Sequence, residues 1–186
     1  MPSLVLYHLL ENCIYKGNSR ERKRKKLERI NHILHHKKFQ IWNEENKKME
    51  QERIFCLHNV EHYFDVARIA YIKALEEKIL ISKDILYATA LLHDIGKHRQ
   101  YQEGLPHEEE SAMMSEEILI DCGYEKEERK EIQQAIRNHR RKPDANSTAL
   151  ERLLYEADKQ SRLCLFCKAK AQCKWSDEKK NLTLQY

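Results

Sequence analysis

Apolar residues recur at spacings of three and four through most of this chain, and few residues interrupt that rhythm. The breaks fall at Gly96, at Gly104-Leu105-Pro106, at Gly123 and between Pro143 and Ser147. With only 4 glycines and 3 prolines in 186 residues, and no convincing strand pattern, sheets and tight hairpins lack their material. The expectation is an all-α protein, a single helical bundle with an N-terminal helical extension and a short Cys-rich C-terminal tail. A chain of this length buries a core without staples.

The divisions expected are 1–52 for the extension, 53–163 for the bundle and 164–186 for the Cys-rich segment. The extension reads as two charged helices, 4–14 and 20–50, joined by the turn Lys16-Gly17-Asn18-Ser19. Leu27, Ile30, Ile33 and Leu34 form an apolar stripe suited to packing against the body or a partner chain. Bundle helices are expected over about 54–80, 83–95, 107–121, 125–140 and 147–163.

Net charge is only +4, which excludes a generic polyanion binder, but residues 20–29 concentrate basic side chains. That run suits nucleic acid, a membrane surface or a solvated helix face; it has no interleaved aromatics to stack on bases. Six cysteines without a secretion signal suit a reducing cytoplasm. The apolar stretch at 4–10 is short, contains His8 and lacks a basic lead and a cleavage site, so neither a signal peptide nor a membrane span is expected.

Chemistry centres on Leu91-Leu92-His93-Asp94-Ile95-Gly96-Lys97. An imidazole and a carboxylate are good ligands for a divalent first-row metal, and a carboxylate can bridge two. The preceding apolar run, with Ile85, Ala88, Leu91 and Leu92 on one stripe, reads as a buried helix entered from Ser82 and stopped at Gly96. Upstream, His58, His62 and Asp65 are spaced to share a helix face. Downstream, His107 opens a helix after Pro106, His139 ends one, and Asp158 lies on a helix from 150 to 163. Read singly, these are helix-end histidines and a carboxylate that Arg152 or Arg162 can pair. Taken together, they occupy separate helices, from which a bundle can converge side chains on an interior metal.

In this order the residues resemble the HD superfamily of metal-dependent phosphohydrolases over about residues 54–160: a histidine before a Val-Ala pair (His62, Val66-Ala67), then His93-Asp94, then a distant aspartate in Tyr155-Glu156-Ala157-Asp158. The resemblance implies one metal held by His62, His93, Asp94 and Asp158, and a second bridged by Asp94 and held by His107 and His139. It implies hydrolysis of a phosphoester or phosphoanhydride by metal-activated water, with iron or manganese favoured as the ion and Asp94 and Lys97 as catalytic residues. The substrate class expected is a nucleotide or related small phosphorylated molecule. Lys97, Arg140 and Arg141 are the candidates to meet its phosphate, since guanidinium and ammonium groups both bind phosphate. The competing class is a non-catalytic regulatory or nucleic-acid-associated module that keeps the metal site.

Cys164, Cys167 and Cys173 are spaced C-x2-C-x5-C. They suit a zinc or iron–sulfur site, packed reduced thiols or a redox pair, and a metal reading needs a fourth ligand from Cys56, Cys122 or a histidine.

Overall fold

The structure, a computed structural model, describes residues 28–186. The expected helix at 4–14, the turn after it and most of the basic run lie outside the described residues. Residues 28–35 are helical, followed by α1 (Lys37–Met49), α2 (Val60–Glu76), α3 (Lys83–Leu92), α4 (Lys97–Glu103), α5 (His107–Asp121), α6 (Lys126–Asn138) and α7 (Ala149–Gln160). Two 3-10 turns, Cys164–Phe166 and Lys170–Gln172, complete the chain, and no strand occurs among the described residues.

Several expectations need correction. The helix read over 20–50 is broken at His36, whose extended backbone and Nδ1, accepting from Lys38 N at 3.2 Å, start α1 anew. The helix read over 54–80 begins only at Val60, because the Asn59 side chain accepts from His62 N at 3.0 Å as an N-cap. His58 therefore precedes the helix, and Asp65 is turned outward beside Arg68, so the three residues share no helical face. α4 went unread, since seven mostly polar residues carry no apolar stripe to announce a helix.

α3 is the central element. Leu91 and Leu92 pack with Tyr63, Ile95, Ile118, Leu119, Ile132 and Ile136, while Leu86 and Ala90 join Val66, Ala67, Leu150 and Leu153 in a second cluster. Contact on both sides leaves α3 almost fully buried, so its C-terminal end delivers His93 and Asp94 into the molecule's centre. α2 packs on α3 and α7, and α5 lies along α6. Ser82 stands at the α3 N-cap, though its side chain makes no capping hydrogen bond.

Gly96 does not stop a helix. Regular α3 ends at Leu92, and Gly96 is the N-cap of α4 with an ordinary φ of −87°. What requires glycine is proximity, because a Cβ there would lie 2.7 Å from Ser111 N and 2.9 Å from Glu110 C on α5. Gly96 N also donates to Ser111 Oγ at 3.0 Å, which fixes α5 against the His93-Asp94 turn.

The segment before α1 packs on this body. Ile30 and Ile33 are buried in the first cluster, with Leu34 partly buried against it. Arg29 reaches the fully buried Asp84 at 2.5 Å and Glu128 at 2.7 Å, with its guanidinium 4.0 Å from the Tyr124 ring centre. Burial raises the Asp84 carboxyl pKa, and the Arg29 charge pulls against that rise.

Candidate metal centre

Six side chains from five places in the chain meet at the end of α3. His62 comes from the first turn of α2, His93 and Asp94 from the turn after α3, His107 from the first position of α5, His139 from the C-cap of α6, and Asp158 from the last turns of α7. All are buried. They form two groups, His62-His93-Asp94-Asp158 and Asp94-His107-His139, each with its ligand atoms within 4.8 Å of one another.

Asp94 divides its oxygens between the groups. Oδ2 lies 3.1 Å from His93 Nε2 and 3.8 Å from His62 Nε2, while Oδ1 lies 3.0 Å from His107 Nε2 and 3.6 Å from His139 Nε2. Asp158 Oδ1 closes the first group, 3.3 Å from His62 Nε2. His107 and His139 face one another through Nε2 at 3.3 Å.

The donor set fits metal ions. His93 Nε2 and Asp94 Oδ1 are buried with no hydrogen-bond partner, although other potential ligand atoms crowd them. Lone pairs converging without a proton between them are what a cation satisfies and a hydrogen-bond network does not. The far sides of the rings are tied down: His93 Nδ1 donates to Ala90 O and His139 Nδ1 to Ile136 O, each at 2.7 Å, which leaves Nε2 free to ligate.

Electrostatics hold both carboxylates in their binding form, while the facing Asp94 charge overcomes burial and raises the His93 pKa. Burial works to raise the Asp94 pKa, but the surrounding histidines, His93 foremost, outweigh it and hold the carboxyl well below the usual range. Asp158 is likewise held well below that range, burial being overcome by His62, Lys159 and Arg162. Burial pushes His139 down to about 3, against the pull of Asp94, so its imidazole is neutral across the physiological range.

Several residues at the site had no motif to announce them. Glu50, the C-cap of α1, accepts from His58 N at 2.7 Å and pairs with His58 Nδ1 at 2.5 Å, while Tyr101 Oη donates to Glu50 at 2.6 Å. His58 Nε2 then faces Asp94 Oδ2 at 4.0 Å. Asn46, fully buried on α1, donates to Asp94 O at 2.9 Å and to Tyr63 Oη at 3.0 Å and accepts from His98 N at 2.6 Å, locking the turn that carries Asp94. Their only sequence signal is polarity at inward positions of an otherwise charged helix. Arg162 donates to Asp158 Oδ1, His62 Nε2 and Leu57 O at 3.1, 3.0 and 3.0 Å, so Asp158 both faces His62 and pairs with arginine. Arg152 pairs instead with Glu77.

Lys97 is partly buried with Nζ 3.3 Å from His107 Nδ1; burial lowers its pKa, and the Asp94 charge opposes that. Lys97 and Arg140 line the cavity above Asp94. Arg141 lies apart, exposed, paired with Asp144 and lining a separate small pocket. His98 is turned to Glu45 and joins neither ligand group.

The comparisons with known proteins give the family. Residues 59–163 match the family described as HD domain. An uncharacterized protein of Clostridium beijerinckii is 46% identical over 160 residues, which cover 86% of this chain and all of that protein. The crystal structure of a predicted HD superfamily hydrolase from an uncultured Thermotogales bacterium shares the fold, with a TM-score of 0.57 and 22% identity over 78% of this chain and 80% of that one. The chain belongs to the HD-domain family of metal-dependent phosphohydrolases. No helix among the described residues is long and apolar enough to cross a membrane.

Because Asp94 alone belongs to both groups, the two can be separated by substitution. His139→Ala is expected to lower bound metal by about half while His62, His93 and Asp158 keep theirs, and His62→Ala is expected to do the converse. Elemental analysis after equilibration with manganese checks both; unchanged stoichiometry in either variant refutes the grouping.

Proposed function

We propose that the protein hydrolyses a phosphoester or phosphoanhydride of a nucleotide or related small phosphorylated molecule, using two divalent ions that share Asp94. The observation that carries this reading is that both ligand groups reach, through Asp94, Asp158, His107 and His139, a cavity of about 1010 Å³ lined by cations. Arg53, Lys97, Arg140, Lys159 and Arg162 line it, a surplus of positive charge suited to a substrate with more than one phosphate charge. Phe55, Tyr155 and Trp175 in the same wall offer flat apolar surface for a base. The mixed imidazole and carboxylate set suits iron or manganese.

Bound metal supplies a water of lowered pKa and polarises the phosphoryl oxygens. The chain supplies the rest. Lys97 and Arg140 hold the phosphate above Asp94. Asp94 keeps the two groups in register, with its main-chain oxygen fixed by Asn46. His58 is kept neutral by burial and oriented through Nδ1 by Glu50, so its Nε2 is placed to accept a proton beside Asp94. Glu50→Gln is expected to lower kcat about 10- to 100-fold with bound metal unchanged, since it disturbs His58 and no ligand.

The test is purified protein loaded anaerobically with ferrous iron or with manganese and assayed against nucleoside mono-, di- and triphosphates, cyclic nucleotides and dinucleoside polyphosphates. Turnover of at least one class, lost in Asp94→Asn, is the expected result. Metal-loaded protein that turns over none of them refutes the catalytic reading and leaves the metal-binding regulatory module.

A further inference from the structure

The segment after α7 folds with almost no core of its own. Beyond Ser161 it contains two three-residue 3-10 turns, only Cys164 and Ala169 are buried, and Leu163, Leu165 and Phe166 face solvent. Its order rests on a few hydrogen bonds, such as Leu165 N to Asn181 O at 3.1 Å and Asn181 Nδ2 to Lys159 O at 2.7 Å. A segment this poor in apolar burial ordinarily needs a covalent or metal staple.

Four cysteines stand where such a staple would be. Cys164 opens the first 3-10 turn, Cys167 caps it and Cys173 caps the second. Cys56 comes from the loop between α1 and α2, and all four line the same cavity, as does Trp175. Burial raises the Cys56 thiol pKa against the pull of Arg162, and Cys164, Cys167 and Cys173 are near enough to add to that rise. None of the four is in a disulfide. Lys170, Lys174, Lys179 and Lys180 line that cavity too, so thiolates ligating a metal there would stand among cations.

Spacing bears on the occupant. Tetrahedral zinc with Zn–S bonds of about 2.3 Å would draw its sulfurs to roughly 3.8 Å apart. Among the described residues, no three cysteine sulfurs fall within 4.8 Å of one another. A cubane cluster spreads its thiolates further, because each binds a different iron.

We propose that Cys56, Cys164, Cys167 and Cys173 are the ligands of a 4Fe–4S cluster, separate from the His-Asp centre, that fastens the C-terminal segment to the loop before α2. This assignment stands whether or not the cavity is catalytic.

The test is acid-labile sulfide and iron in the whole protein, purified anaerobically and reconstituted with ferrous iron and sulfide. About four sulfides per chain are expected, the content of one cubane cluster, with visible charge-transfer absorbance that dithionite bleaches. Cys56→Ser, Cys164→Ser, Cys167→Ser and Cys173→Ser are each expected to lose most of the sulfide. Cys122→Ser, whose thiol is buried in the core cluster, and His139→Ala, which disturbs only the other metal group, are expected to keep it. Absence of labile sulfide in the reconstituted parent protein overturns the proposal, and this reading does not depend on how any variant folds. Zinc retained in place of iron and sulfide, and lost with these cysteines, overturns it as well. Full sulfide in Cys56→Ser overturns the assignment of the fourth ligand.

Discussion

Asp94→Asn is expected to lower phosphohydrolase turnover by about a thousandfold or more, equivalent to about 4 kcal/mol of transition-state stabilisation. The size follows from the residue's position, since each carboxylate oxygen serves a different ligand group and an amide replaces one of them with a donor. The neighbours aggravate the loss. His62, His93, His107 and His139 all present ring nitrogens toward this one side chain, and an amide NH2 can donate to at most two of them. Steady-state kinetics with elemental analysis check it; a variant with parental metal content and kcat within tenfold of the parent would remove Asp94 from the centre. The fold should tolerate the change, because shape and burial are retained.

The second large effect is on stability. Gly96→Ala is expected to cost about 2–3 kcal/mol, since its Cβ would overlap the main chain of α5 at 2.7 and 2.9 Å, and backbone yields less than a flexible side chain. Relief requires α5 to move away, and α5 begins with His107. Weaker metal binding at the His107-His139 group should therefore accompany the lower stability, while the His62 group changes little. Urea unfolding and metal titration of the same variant measure the two effects; an unfolding midpoint equal to the parent's refutes the close-packing argument.

Residues with a periodic or motif context were legible in the sequence, and residues defined by proximity were not. The apolar stripes of α2, α3, α5, α6 and α7 announced helices because burial on one face repeats every three or four positions. The six His and Asp candidates stood out as chemistry-bearing side chains in a family order, and the structure draws them to one place. Gly96 misled, because a glycine after an apolar run looks the same whether it ends a helix or admits a neighbouring backbone. Asn46 and Glu50 were illegible for a related reason: on a helix of Lys, Glu, Asn and Gln, two polar residues that face inward differ from the rest only once tertiary structure exists. His58 was visible but misplaced, because the Asn59 cap was read as part of a longer helix. The fourth ligand proposed for the C-terminal cysteines could not be chosen, since chain separation says nothing about which distant thiol the fold brings near.

The shared carboxylate has a thermodynamic consequence. Two sites that draw on opposite oxygens of one side chain are not independent equilibria, because occupancy of either fixes the rotation and charge that the other meets. Linkage then runs equally in both directions: whatever a first ion gains or loses for the second, the second returns to the first. Metal uptake should therefore depart from the isotherm of two separate sites, in whichever direction that coupling runs.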